Sequence, residues 1–103
     1  MKNSENTATA DPKSKEKLQQ PKMFNVIVLN DDFTPTDFVV QLMIQVFQKS
    51  MMEAVHIMAE THNSEKAMVG TYPKDIAETK VAQALYVCKE SGHPLRLVVE
   101  KAD

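Results

Sequence analysis

Asn30, Asp31 and Asp32 place three side-chain acceptors in a row. They follow the apolar run Phe24-Asn25-Val26-Ile27-Val28-Leu29 and stand just before a helix start at Thr34-Pro35. An amide oxygen and two carboxylates on one tight turn can hold a cation, organic or metallic. The same residue types are ordinary turn formers, because Asn and Asp bond their own backbone. His62 is the second candidate, since a neutral imidazole nitrogen can accept a hydrogen bond or ligate a metal. Asp31, Asp32 and His62 could together hold a divalent ion with open positions, the arrangement of a metal-dependent hydrolase. No second metal-binding cluster, nucleophile or oxyanion motif accompanies them in the sequence. Cys88, the single cysteine, precludes an internal disulfide. It reads as a small buried hydrophobe rather than a nucleophile, with no cation near it in sequence.

The elements that must position these residues follow from periodicity and capping signals. Met23 to Leu29 is β-rich and predicts a strand. Thr34 can cap a helix whose first residue is Pro35, with Asp37 three residues after the cap. Phe38, Val39, Leu42, Met43, Val46 and Phe47 recur at helical spacing on one face. Ser50-Met51-Met52-Glu53 fits a capping box. In the helix it opens, Met51, Val55, Met58, Ala59 and His62 share a face, and His56 falls outside it. Asn63-Ser64-Glu65-Lys66 reads as a loop. Ala67 to Tyr72 predicts a second strand, ended by Pro73, which opens a third helix. Asp75 and Glu78 lie near that helix's positive end, and Ala77, Val81, Ala84, Leu85 and Cys88 form its stripe. Gly92 is placed to end it in the left-handed conformation. His93-Pro94 leads into a third strand, Leu95 to Glu100. The order β-α-α-β-α-β packs best as helices on one face of a small sheet, an α+β domain.

Composition limits the function classes. A chain of 103 residues fits one small domain. Residues 1–22 carry five lysines against three acids, and few apolar residues. Such a segment buries too little apolar surface to offset its ordering entropy, so residues 1–21 are expected to be a flexible extension ahead of a 22–103 core. The other seven cationic residues face eleven acidic ones. The net charge of −2 gives no general reason to bind nucleic acid or a membrane surface. No stretch approaches the roughly 18 apolar residues of a membrane span, and no signal peptide is evident. A cytoplasmic protein is expected. Seven methionines and no tryptophan suggest a soft core or a pliable apolar surface.

From Lys22 onward the chain resembles the ClpS family of bacterial adaptors, which hand substrates with destabilising N-terminal residues to the ClpA–ClpP protease. The resemblance rests on Val26-Ile27-Val28-Leu29-Asn30-Asp31-Asp32-Phe33-Thr34-Pro35 with Phe38-Val39, then Met58 and His62, Lys66-Ala67, Ala77-Glu78-Thr79-Lys80-Val81, and His93-Pro94-Leu95. It implies a three-stranded antiparallel sheet with three helices on one side, no catalytic residue, no metal and no cofactor. It also implies a monomer that binds N-degron peptides beginning with Leu, Phe, Tyr or Trp. Asn30, Asp32 and His62, with Asp31 close by, would surround the peptide's α-amino group, and Thr34 would buttress the turn. Thr36, Val39, Met58, Thr61 and Leu95 would wall the pocket for the first side chain. Asp75, Glu78 and Lys80 would meet the N-terminal domain of the ClpA unfoldase, and the N-terminal extension would act during delivery. Thr36 stands where the family often has a Met that excludes β-branched first residues, and Thr61 where an aliphatic residue is common. A purely structural interaction domain, like the C-terminal domain of the bacterial ribosomal stalk protein in fold only, is the remaining reading.

Overall fold

A computed structural model of the chain describes residues 21–103, so the expected extension lies outside the described residues except for Pro21. The elements run β1 (Met23–Leu29), α1 (Thr36–Phe47), α2 (Met51–Ser64), β2 (Lys66–Pro73), α3 (Lys74–Glu90) and β3 (Arg96–Lys101). The sheet order is β2-β1-β3, antiparallel throughout. With β1 central, Val26 and Val28 are wholly buried against the helical layer. The β1–β2 register shifts between Val26, opposite Gly70, and Ile27, opposite Met68, so Val69 is an extra residue, a β-bulge. The bulge lets Ala67, Val69 and Tyr72 all reach the helical core despite their uneven spacing. The Tyr72 ring folds over Gly70, where a Cβ would stand 2.7 Å from the Tyr72 hydroxyl.

The helices seat where their local chemistry puts them. Ser50 and Glu53 make the expected capping box, side chain to backbone in both directions, at 3.1 and 2.9 Å. Gly92 ends α3 at φ +76°. Its N–H donates to the Lys89 carbonyl and that of His93 to the Cys88 carbonyl, the paired bonds of a Schellman motif. Val39, Leu42, Met43, Val46 and Phe47 bury the predicted face of α1, joined by Val40 and with Phe38 only partly covered.

Several expectations differ from the structure. The buried stripe of α2 is Ala54, Ile57 and Thr61, while Met51 and Val55 are exposed and Met58 sits at the boundary. Ala and Thr contribute little hydropathy, so the face that packs closest was the less conspicuous one. Leu85 is likewise exposed, and Ala77, Val81, Ala84 and Cys88 carry the α3 core. The loop expected at 63–66 is absent. The helix continues through Ser64, and a left-handed Glu65 turns straight into β2, because a solvent-facing last turn can be entirely polar. Pro73 occupies the cap position of α3, and β3 begins at Arg96, one residue later than read.

Candidate functional site

Strand register gathers the candidate residues. Leu29, the last residue of β1, pairs with Lys66 on one side and Arg96 on the other. One end of the sheet therefore holds the exit of β1, the end of α2 and the approach to β3. The Asn30 N–H donates to the Glu65 carbonyl at 2.8 Å, fastening the start of the turn to the end of α2. That bond brings Asn30 beside the helix that carries Met58, Thr61 and His62.

The turn is held by Asp31. One carboxylate oxygen accepts the Phe33 and Thr34 N–H groups, and the other accepts the Thr34 hydroxyl, each at 2.8 Å. Burial alone would raise the pKa of this carboxyl. The hydrogen bonds from Phe33 and Thr34, with the charge of nearby His93, outweigh it and hold the group below its ordinary value. Thr34 consequently buttresses the turn and does not cap α1. Pro35 occupies the cap position without a side-chain cap, and the helix starts at Thr36. Behind the turn, the His93 and Phe38 rings meet edge to face, centroids 4.4 Å apart. Cys88 is buried, and that burial, reinforced by the Asp31 charge, pushes its thiol up. It is part of the packing, as its place on α3 suggested.

A cavity of about 340 Å³ opens between this turn, α1, α2 and the residue before β3. Asn30, Asp31, Asp32 and His62 line it together with Thr34, Thr36, Val39, Met58, Thr61 and Leu95. Exposure grades with depth: Val39, Thr61 and Leu95 are buried, Asn30 and Met58 intermediate, Asp32, Thr36 and His62 exposed. The Thr61 hydroxyl donates to the Ile57 carbonyl at 2.7 Å, so its proton is satisfied within α2. Among the described residues, the hydrogen bonds and ion pairs close on Asp31 and give the side chains of Asn30, Asp32 and His62 no protein partner. The site therefore joins uncommitted acceptors to an apolar wall, which suits a small cation carrying an apolar group.

Asp31 accepts three hydrogen bonds from its own turn. Among the described residues, no group of three or more His, Cys, Asp or Glu side chains is arranged to hold a metal ion, so the Asp31–Asp32–His62 set does not converge as a hydrolase centre requires. Phe33 and Pro35 also line the cavity, beyond the site residues expected from sequence. Their signal was membership of the motif itself. His56 is a surface residue 3.8 Å from Glu60.

On α3, Asp75 and Glu78 are exposed, and Asp75 and Lys80 border a shallow depression of about 280 Å³. Lys80 is engaged within the molecule. Its Nζ donates to the Val46 carbonyl at 3.2 Å and to Gln48 Oε1 at 2.8 Å, and stands 5.8 Å from the centroid of the Tyr72 ring. A cation there complements the negative end of α1.

Comparisons with known proteins address the whole domain. The family model described as ATP-dependent Clp protease adaptor protein ClpS matches residues 19–98. The ATP-dependent Clp protease adapter protein ClpS of Paraburkholderia phymatum is 42% identical over 90 residues, covering 87% of this chain and 86% of its own length. Its counterpart in Burkholderia thailandensis is 40% identical over 95 residues, covering 92% and 91%. A solved structure, Agrobacterium tumefaciens ClpS2 bound to L-phenylalaninamide, matches with a TM-score of 0.78 at 37% identity, covering 81% of this chain and all of that one.

Proposed function

The chain belongs to the ClpS family of Clp protease adaptors, and from that premise we propose that it binds the free N-terminal residue of N-degron substrates and delivers them to the ClpA–ClpP protease. The observation that carries this reading is a cavity whose lining brings Asn30, Asp32 and His62 together with Val39, Met58 and Leu95. L-Phenylalaninamide, the ligand of the related ClpS2, has the chemistry of an N-terminal Phe: a free α-amine, a benzyl side chain and an amide. An α-amine of pKa ~7.7–8.0 is largely an ammonium at neutral pH, with three donors to satisfy.

In this reading Asn30 accepts through its amide oxygen. Asp32 supplies the opposite charge, directly or through water. His62 accepts through a neutral ring nitrogen. Asp31 and Thr34 keep the turn in shape. The first side chain, from Leu, Phe, Tyr or Trp, enters between Thr36, Val39, Met58, Thr61 and Leu95. Its burial contributes ~1.5–3 kcal/mol, and each charge-assisted hydrogen bond a similar amount. Association costs of ~4–15 kcal/mol offset much of that sum, so the reading needs both the apolar pocket and the acceptors together.

Delivery in this reading uses the outer face of α3, with Asp75 and Glu78 meeting the N-terminal domain of ClpA and Lys80 at its margin. The protein acts as a monomer in the bacterial cytoplasm. Among the described residues no helix is long and apolar enough to cross a membrane.

The test is a titration of a fluorescent peptide beginning with Phe beside its N-acetylated copy, with and without chelator. The reading expects saturable binding of the free amine, loss on acetylation and no response to chelator. Binding that survives acetylation would overturn it, as would binding that needs a divalent ion.

A further inference from the structure

Phe33 stands apart from the other apolar residues of the cavity. Val39 and Leu95 are 6% and 4% exposed, whereas Phe33 is 80% exposed. It lines the same cavity, and its exposure puts it on the solvent side, the mouth, rather than among the buried residues of the floor. Isolated apolar residues on a surface are common and need no explanation. Two observations separate this one. Its backbone is fixed, because the Phe33 N–H and that of Thr34 both donate to Asp31. Its neighbour Asp32 lines the same cavity. A rigid loop thus presents a large ring directly beside the group assigned to the ligand's ammonium.

Resting on the proposed function, we infer that Phe33 is the platform for the second residue of the bound peptide and sets a preference for apolar side chains there. With the α-amine at Asn30, Asp32 and His62 and the first side chain at the buried floor, the peptide must leave through the mouth. The mouth is formed by exposed residues, and Phe33 is the large apolar one among them, with the ring of Pro35 two residues on. A side chain laid on Phe33 removes apolar area from water on both partners. The ring has only two torsions to restrict, and the turn is already ordered, so little entropy opposes the contact.

The experiment compares two fluorescent peptides, Phe-Leu- and Phe-Gly- with the same remainder, on the protein, on Phe33→Ala and on Phe33→Trp. An N-acetylated control accompanies each. The unaltered protein should prefer Phe-Leu- by about three- to tenfold, the scale of an added packing contact at an aromatic ring. Phe33→Ala should bring that ratio close to one, and Phe33→Trp should keep it. A ratio unchanged in Phe33→Ala overturns the inference, as does an equal loss for both peptides, which would put Phe33 in service of the first residue. In either case, binding of free but not acetylated peptide leaves the proposed function standing. Absence of binding to the unaltered protein ends both.

Discussion

The cavity at the β1–α1 turn encloses about 340 Å³, and a groove between the first half of α2 and β2 encloses about 760 Å³. The larger groove offers Met52, Ile57, Met68 and Val69; of its polar members Lys49, Ser50, Glu53 and His56, Ser50 and Glu53 are tied into the capping box and His56 stands 3.8 Å from Glu60. The smaller cavity has Asp31 satisfied but Asn30, Asp32 and His62 uncommitted among the described residues. Size therefore does not distinguish the two. Three uncommitted acceptors gathered with apolar side chains in one cavity do, because they discriminate a ligand with matching donors.

The sharpest way to break this contrast is to remove the acceptors. On the proposed function, Asp32→Ala or His62→Ala should weaken a Phe-initiated peptide by about 10- to 100-fold in a fluorescence titration, the scale of a charge-assisted hydrogen bond. Unchanged affinity in both would erase the distinction between the two hollows. The next effect concerns pocket shape. Thr36→Met should lower affinity for an Ile-initiated peptide relative to a Leu-initiated one by about tenfold, since methylene-scale fit is worth ~1–3 kcal/mol. An unchanged Leu-to-Ile ratio would show that Thr36 does not gate the first residue.

Asp31 tests the turn itself. Its carboxyl has a lowered pKa in the folded state. Its stabilisation is therefore fully present above the unfolded value of 3.8 and is lost as pH falls through the lower folded value. Asp31→Asn should lower stability by about 1 kcal/mol at neutral pH, allowing for the solvent around the group. The gap in Tm between the two proteins should narrow as pH drops below about 4. A gap constant with pH would mean that the charge of Asp31 is irrelevant to the turn. The smallest effect belongs to Lys80. Lys80→Met should cost about 0.5–1 kcal/mol by uncapping α1, with peptide affinity within about twofold. A double substitution Met52→Ala, Met68→Ala in the groove should leave peptide affinity equally unmoved.

Much of the site could be read in the sequence because it is concentrated in one motif. The seven residues from Asn30 to Thr36 all line the cavity. What could not be read was the division of labour inside that motif. Thr34 looked like a helix cap because it precedes Pro35, yet Asp31, three residues back, takes its hydroxyl and its N–H. Two local arrangements of similar strength competed for one Thr, and composition does not rank them. The face of α2 departs from its periodicity for a related reason: Met51 and Val55 advertise hydrophobicity, but close packing against the core selects Ala54, which is wholly buried. Lys80 belonged to a helical motif in sequence, and its partners, Val46 and Gln48, lie at the end of another helix.

By itself, the sequence determined whatever depends on neighbours within about one helical turn. It specified the capping box at Ser50, the left-handed stop at Gly92, the order of strands and helices, and the acceptor-rich turn after β1. Those interactions close within a few residues, so their geometry is implicit in the order of side chains. Tertiary structure alone decided that Leu29 would stand opposite both Lys66 and Arg96. That register brought the end of α2 and the residue before β3 to the turn, and gave Asn30, Asp31 and Asp32 their apolar wall. It also decided which acceptors the fold would use and which it would leave open. Both outcomes are settled by distances through space between residues far apart along the chain.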